Sequence, residues 1–321
     1  MKTLVTGSAG FIGFHVAREL LERGEEVVGL DSVNDYYSQE LKEDRNEVLE
    51  EYDGFTFYRQ DLCELEKLEE LFEKEDIDRI CHLAAQAGVR HSIENPHAYQ
   101  KSNLEGFTNI IEMVRHYEVG NFVYASSSSV YGGKEKVPYS TEDDVTTPVS
   151  YYAATKVANE VVAHSYSHLY DVPCTGLRFF TVYGPWGRPD MALYKFTDLM
   201  MEGEEIDVYN YGDMQRDFTY IDDIVEGLIS ALENPFDYEV FNLGNGNPVD
   251  LMDFIETLED TLGIEADKNM MPMQPGDMKK TYADVSGAKE KLGYESKTDI
   301  EEGIRKFVEW YVDYHGVDID A

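Results

Sequence analysis

Tyr152 and Lys156 stand four residues apart in Tyr152-Ala153-Ala154-Thr155-Lys156. On a helix that spacing puts phenol and amine on one face. An ammonium near a phenol favours the phenolate, so the pair suits proton removal near neutral pH. Composition alone yields about one such pair by chance, and among 23 tyrosines only Tyr152 has it. Context therefore decides. Tyr152 opens a helix predicted over 152–170, directly after a strand that runs into Ser126-Ser127-Ser128-Ser129. Four hydroxyls at a strand's carboxyl end form a bank of neutral hydrogen-bond donors. The competing reading is a turn closed by local side-chain-to-backbone bonds.

A second constellation lies at the amino end. Lys2 to Thr6 reads as a buried strand, Gly7-Ser8-Ala9-Gly10-Phe11-Ile12-Gly13 as a turn, and Phe11 to Arg23 as an amphipathic helix. A strand from Glu26 to Leu30 follows and ends at Asp31. Three glycines alone say little, but strand, glycine turn, helix, strand and terminal acid in that order form a dinucleotide fingerprint. Gly7 allows the tight turn, Gly10 lets backbone approach a pyrophosphate at the helix N-terminus, and Gly13 permits close packing. Asp31 suits free ribose hydroxyls and opposes a 2′-phosphate, which favours NAD over NADP.

These groups need elements to position them. Strands are predicted at 55–59, 79–83, 121–126 and 174–179, alternating with helices at 65–75, 96–117 and 152–170. The alternation implies a parallel sheet covered on both faces, with ligands at the carboxyl ends of the strands. After Thr181 the loops lengthen and carry Gly and Pro. A helix near 221–233 and a strand at 240–243 are expected to rejoin the first lobe. The expected architecture is an α/β Rossmann-type doubly wound parallel sheet with a smaller C-terminal substrate-binding lobe. Residues 1–180, rejoined by about 219–245, would bind NAD; 181–218 and 246–321 would bind the substrate.

Composition narrows the partners. Lys and Arg number 27 and Asp and Glu 64, a formal charge of −37, which opposes nucleic acid and anionic membrane surfaces as partners. The three cysteines, Cys63, Cys81 and Cys174, form no Cys-x-x-Cys pair, and a reducing cytoplasm is expected. No apolar run is long enough to span a membrane. His164 and His168 share a helix face but have no third ligand in view, so no metal is expected.

Together, Gly7 to Gly13, Asp31, the serine-rich strand end and the Tyr152/Lys156 pair resemble the extended short-chain dehydrogenase/reductase superfamily, and within it the nucleotide-sugar epimerases. Two further strings, Gly184-Pro185-Trp186-Gly187-Arg188-Pro189-Asp190-Met191-Ala192 and Asp207 to Phe218, are similar to those of UDP-glucuronate 4-epimerases. The resemblance implies that Gly7, Gly10, Phe11, Ile12, Gly13, Asp31, Asp61, Leu62, Leu83, Ala84 and Ala85 hold NAD, with Tyr152 and Lys156 at the nicotinamide end. It implies Tyr152 as base, Ser127 as its hydrogen-bonding partner, and Lys156 completing the set. Thr181 would contact the sugar, where many UDP-galactose epimerases carry Asn. Arg216 would neutralise the diphosphate and Asp277 bind the uridine ribose. Arg90, after a strand end, would face the substrate or be a surface arginine. Related decarboxylases carry Glu where Ser129 stands, and related dehydratases an Asp-Glu pair where Ser128-Ser129 stand; both are absent. Ser127, Ser128 and Thr181, with Arg188, would hold a uronate carboxylate. A homodimer through the two long helices, 96–117 and 152–170, is also implied. An epimerase of UDP-glucose or UDP-N-acetylglucosamine, or a catalytically silent NAD-binding scaffold of the same fold, remain the alternatives.

Overall fold

The computed structural model describes residues 1–274 and 278–319. Its centre is one seven-stranded sheet. Six strands are β1 (Lys2–Thr6), β2 (Glu26–Asp31), β3 (Phe55–Arg59), β4 (Arg79–His82), β5 (Phe122–Ser127) and β6 (Cys174–Phe179). The seventh is Tyr238–Leu243, and the order across the sheet is Tyr238–Leu243, β6, β5, β4, β1, β2, β3. Every pairing is parallel. The doubly wound α/β sheet expected from the alternation is therefore the architecture found. The chain reverses direction across the sheet between β1 and β4, which opens a crevice at their carboxyl ends.

Side chains alternate across the pleat and so build two cores. Val5, Val27, Cys81, Val123 and Leu177 face α1 (Phe11–Glu22) and the helix Ile221–Glu233. Leu4, Val28, Ile80, Phe122 and Tyr124 face α3 (Leu65–Lys74) and the helix Gly106–His116. The first core continues without a break into the C-terminal helix Ile300–His315 through Phe14, Trp186, Trp310 and Tyr314, whose rings lie 5.1–5.4 Å apart in successive pairs. Among the described residues no helix is long and apolar enough to cross a membrane.

Two elements differ from expectation. The helix predicted over 96–117 is interrupted: a π-helical stretch, Gln100–Glu105, separates Pro96–Tyr99 from Gly106–His116. The cause is Asn103. Its Oδ1 accepts from the Gln86 N–H (2.7 Å), and its Nδ2 donates to the Gln86 carbonyl and the Thr155 hydroxyl (both 3.0 Å). Its own carbonyl accepts from Asn159 Nδ2 at 2.7 Å. The widened turn thus locks to the loop after β4 and to the helix Tyr151–Tyr170. The second difference is α2 (Gln39–Glu50), which no apolar period announces: its buried residues include Lys42, Arg45 and Asn46 beside Leu41 and Leu49.

Two buried histidines report on the fold's pH dependence. His15 on α1 and His82 on β4 are each pushed down to about 3, chiefly by burial, with Arg18 and Lys156 respectively adding charge repulsion. An unfolded histidine titrates near ~6.5. Between about 6.5 and 3 the unfolded chain binds more protons, so stability falls as pH drops through that window. His82→Gln keeps a hydrogen-bonding amide for Thr6 Oγ1, which lies 2.8 Å from Nδ1. In urea melts between pH 6.5 and 5 this variant should lose less stability than the parent, by up to about 1.4 kcal/mol per pH unit; parallel losses would contradict the assignment.

Candidate active site

The glycine turn is built by backbone crowding. Gly7 has φ +76°, and a Cβ there would lie 2.8 Å from the Ala84 nitrogen. A Cβ on Gly13 would lie 2.0 Å from the Gly7 carbonyl oxygen, so helix and turn touch backbone to backbone. Gly10 is the N-cap of α1, and no side chain caps that first turn, Phe11 to Gly13, or adds an acid to it. Its amides therefore face the crevice as an anion cradle.

Asp31, at the end of β2, accepts from the Ala9 N–H (3.2 Å) and the Val33 N–H (2.8 Å). Burial pushes its carboxyl up, and those two amides with the charges of Lys42 and Arg45 oppose the rise. Asp61 and Leu62 follow β3. Asp61 accepts from Lys101 Nζ at 2.7 Å and the Cys63 N–H at 3.0 Å, while the Leu62 carbonyl accepts from Asn109 at 2.9 Å. Leu83, Ala84 and Ala85 line the end of β4, half-buried, with the Ala84 N–H donating to the Thr6 hydroxyl at 3.2 Å. All these residues rim the crevice between β1 and its neighbours.

The serine bank divides. Strand alternation turns Ser126 inward, where its hydroxyl donates to Glu160 at 2.6 Å, so it is not part of the exposed bank. Glu160 also holds Arg178 through two bonds of 2.9 and 2.8 Å. Arg178 reaches the Tyr131 hydroxyl at 2.9 Å, which donates to Asn242 at 2.6 Å. This buried network ties β5, β6, the strand Tyr238–Leu243 and the helix Tyr151–Tyr170 behind the rim. Ser127, Ser128 and Ser129 stay half-buried at the rim, with Ser129 Oγ 2.9 Å from Ser127 Oγ.

Tyr152 lies on the first turn of the helix, whose N-cap Ser150 accepts from the Ala153 N–H at 3.1 Å. Burial lifts its phenol above the usual 10, while the Ser127 hydroxyl and the Arg188 charge pull it down. Lys156 is one turn on. Burial lowers its ammonium to about 8, with Glu160 opposing. Its Nζ donates to the Ala125 carbonyl at 2.8 Å and lies 6.0 Å from the Tyr152 ring centre. The Arg188 guanidinium, from a distant segment, adds its charge to the downward pull on the phenol, which spacing along one helix could not reveal. Tyr99, edge-on to Tyr152 at 6.0 Å, was also not anticipated.

Arg188 and Thr181 line one small cavity with Tyr183, Met191 and Phe218. Asp190 accepts from Arg188 at 3.0 and 2.5 Å, and Tyr36 donates to Asp190 at 3.2 Å. Arg188 thus shares this cavity with Thr181 and its charge also acts on Tyr152, the partner of Ser127. Arg90 and Arg216 lie elsewhere, each with its own contacts. The Arg90 guanidinium lies 5.1 Å over the Tyr209 ring. Arg216 is on the short strand Gln215–Arg216, between Val249–Asp250 and Lys280–Thr281, and donates to the Gln215 carbonyl at 2.9 Å. Asp277 lies outside the described residues.

Residues 3–244 match the model of the NAD dependent epimerase/dehydratase family. The chain belongs to that family. It is 45% identical over 333 residues to a probable UDP-glucuronate 4-epimerase of Rhizobium meliloti, covering 97% of each chain. Its fold matches the crystal structure of UDP-glucuronic acid 4-epimerase from Bacillus cereus in complex with UDP-glucuronic acid and NAD, at TM-score 0.90 and 36% identity, over 98% of this chain and 100% of that one. UDP-glucose 4-epimerase from Thermotoga maritima, solved with UDP-glucose, matches at TM-score 0.89 and 32% identity, over 98% and 100%.

The network behind the rim makes a direct prediction for this family member. Arg178→Met would leave Glu160 buried without its partner, which costs about 3–5 kcal/mol. Chemical denaturation should show that loss; a change below about 1 kcal/mol would contradict the network's role.

Proposed function

We propose that this protein is a UDP-glucuronate 4-epimerase that interconverts UDP-glucuronate and UDP-galacturonate with NAD held through the cycle. The observation that carries the reading is that Arg188, which lines a cavity with Thr181, also acts by its charge on Tyr152, whose phenol bonds Ser127, with no carboxylate at 128 or 129. Likeness to the Rhizobium meliloti and Bacillus cereus proteins supports the same substrate. The neutral-sugar reading keeps support from the Thermotoga maritima likeness, but it leaves Arg188 without an anionic sugar group to meet.

The cofactor fits the cradle that only glycine permits at Gly7 and Gly13, the uncapped first turn of α1, and the Asp31 carboxylate. Gly7, Gly10, Phe11, Ile12 and Gly13 would hold the pyrophosphate by backbone. Asp31 would take the adenosine ribose hydroxyls, and Asp61, Leu62, Leu83, Ala84 and Ala85 the adenine side and the crevice wall. Lys156 would bond the nicotinamide ribose. When bound, NAD supplies reversible uptake of the sugar C4 hydride.

Tyr152 takes the proton of the 4-hydroxyl and later returns it, and Ser127 fixes the phenol's direction. Arg188 favours the phenolate, which offsets the cost of burial. The 4-keto sugar turns over between the two half-reactions while Arg216 and Asp277 would anchor the uridine diphosphate, with Arg90 facing the substrate. A 4-keto uronate is a β-keto acid that readily loses CO2. Ser128, Thr181 and Arg188 hold its carboxylate away from alignment with the ketone, and no acid at 128 or 129 promotes elimination. In this reading residues 1–180 with 219–245 serve NAD, and 181–218 with 246–321 serve the UDP-sugar.

We also propose a homodimer through the helices 96–116 and 151–170. Val161 and Leu169, each more than 60% exposed on the second helix, support it, because paired helices cover such side chains. Light scattering should give twice the chain mass; a monomer mass would contradict the pairing.

The purified protein, given UDP-glucuronate and no added NAD, should form UDP-galacturonate with little UDP-pentose by chromatography. UDP-glucose should turn over far more slowly, because a site built for a charged group leaves its donors unpaired without it. Equal rates would remove the uronate assignment, and dominant UDP-pentose would remove the role of the hydroxyl rim. Tyr152→Phe should lower turnover by about 10²–10⁴-fold at unchanged stability; near-parental turnover would assign the base elsewhere.

A further inference from the structure

Arg45 is fully buried on α2, and none of its hydrogen-bond partners is a carboxylate. Its guanidinium divides its donors between two places. Nη1 donates to the Ala9 carbonyl, inside the glycine turn, and to the Tyr37 hydroxyl, both at 2.8 Å. Nη2 donates to the carbonyls of Trp186 (2.6 Å) and Gly187 (3.2 Å). The carbonyl just before them, Pro185, accepts from His15 Nε2 on α1 at 2.9 Å. A carbonyl can only accept, so Nε2 carries the ring proton there.

Three successive carbonyls, 185 to 187, are thus fastened to helices of the dinucleotide lobe, and the next side chain is Arg188. The segment does not rest in an easy conformation. Trp186 has φ +58°, in the left-handed region that disfavours a bulky side chain. Such a conformation persists only where the surroundings over-determine it. Here they are the three carbonyl bonds and the Trp186 ring against Phe14, Trp310 and Tyr314.

We infer that Arg45 and His15 are positioning residues for sugar selection, fixing the 185–187 backbone so that Arg188 meets the sugar carboxylate. The inference rests on the uronate reading above. It adds that selection is set from the dinucleotide lobe, by the guanidinium that also holds the glycine turn. A planar fork is needed to serve two pairs of oxygens at once, which an ammonium on a flexible stem cannot do.

The test measures binding of UDP-glucuronate and of UDP-glucose to NAD-loaded protein by calorimetry, for the parent, Arg45→Lys and His15→Phe. His15→Phe keeps an aromatic ring beside Phe11 and Phe14 and drops the Pro185 bond together with a long 3.5 Å bond from Arg18 on the same helix. A charge-assisted hydrogen bond contributes about 1.5–3 kcal/mol, so misplacing the Arg188 contact weakens binding by about tenfold or more. Arg45→Lys should therefore weaken UDP-glucuronate about tenfold or more and UDP-glucose less than about twofold, with His15→Phe in the same direction and smaller. Should Arg45→Lys not fold, His15→Phe decides alone. Equal weakening of both sugars would show a merely structural role and overturn the inference, as would an unchanged preference in folded, NAD-loaded variants. A parent protein that binds both sugars equally would remove the uronate reading first, and this inference with it.

Discussion

The contact between Gly13 and the Gly7 carbonyl sets the frame for everything else in the site. With no room for a Cβ at either end, α1 starts directly against the turn after β1, and β1 is an inner strand beside the reversal of direction. The turn is then tied to both neighbours. The Gly7 N–H donates to the Leu30 carbonyl on β2 at 2.7 Å, and the Thr6 hydroxyl accepts from Ala84 beyond β4. Asp31 closes the circuit by accepting from Ala9. One crowded turn therefore places the anion cradle, the ribose acid and the end of β4 around a single crevice. A side chain at Gly13 would shift all three.

The second constraint is charge. The chain carries −37 overall, yet four cations, Arg45, Lys156, Arg178 and Arg188, are buried or half-buried in and behind the site. Each is balanced differently. Arg178 has Glu160, Arg188 has Asp190, Lys156 has the Ala125 carbonyl, and Arg45 has three carbonyls and a phenol. Only Arg188 combines a mobile-length side chain, a position beside Tyr152 and a carboxylate partner on the rim, where side-chain exposure is 20% for the arginine and 35% for Asp190. A strongly acidic protein can in this way still place cations beside an anionic substrate.

How much of this was readable before the structure depended on whether the signal was local. The glycine turn, the strands β1 to β6 and the Tyr152/Lys156 pair are local patterns, and they lie where the residue types put them. The π-helical break at Gln100–Glu105 is not local: Asn103 makes it by bonding Gln86 and Thr155. α2 was missed because its inward face carries Lys42, Arg45 and Asn46, the reverse of the apolar stripe by which helices are recognised. The inward turn of Ser126 follows from period-two alternation, but its partner Glu160 lies 34 residues away. The second lobe's strands are two or three residues long, too short for any period to show. The action of the Arg188 charge on Tyr152 joins two segments that only the fold brings together.

The claim at the centre is that the sugar is oxidised at C4 and reduced again without its hydride leaving the protein. UDP-glucuronate deuterated at C4, converted in ordinary water with excess unlabelled NAD, tests this directly by mass spectrometry and NMR of the UDP-galacturonate formed. The deuterium should remain at C4 of the product, with none in water and none in the free NAD pool. Loss of the label to solvent, or its appearance in free cofactor, would contradict a retained dinucleotide and the crevice assigned to hold it.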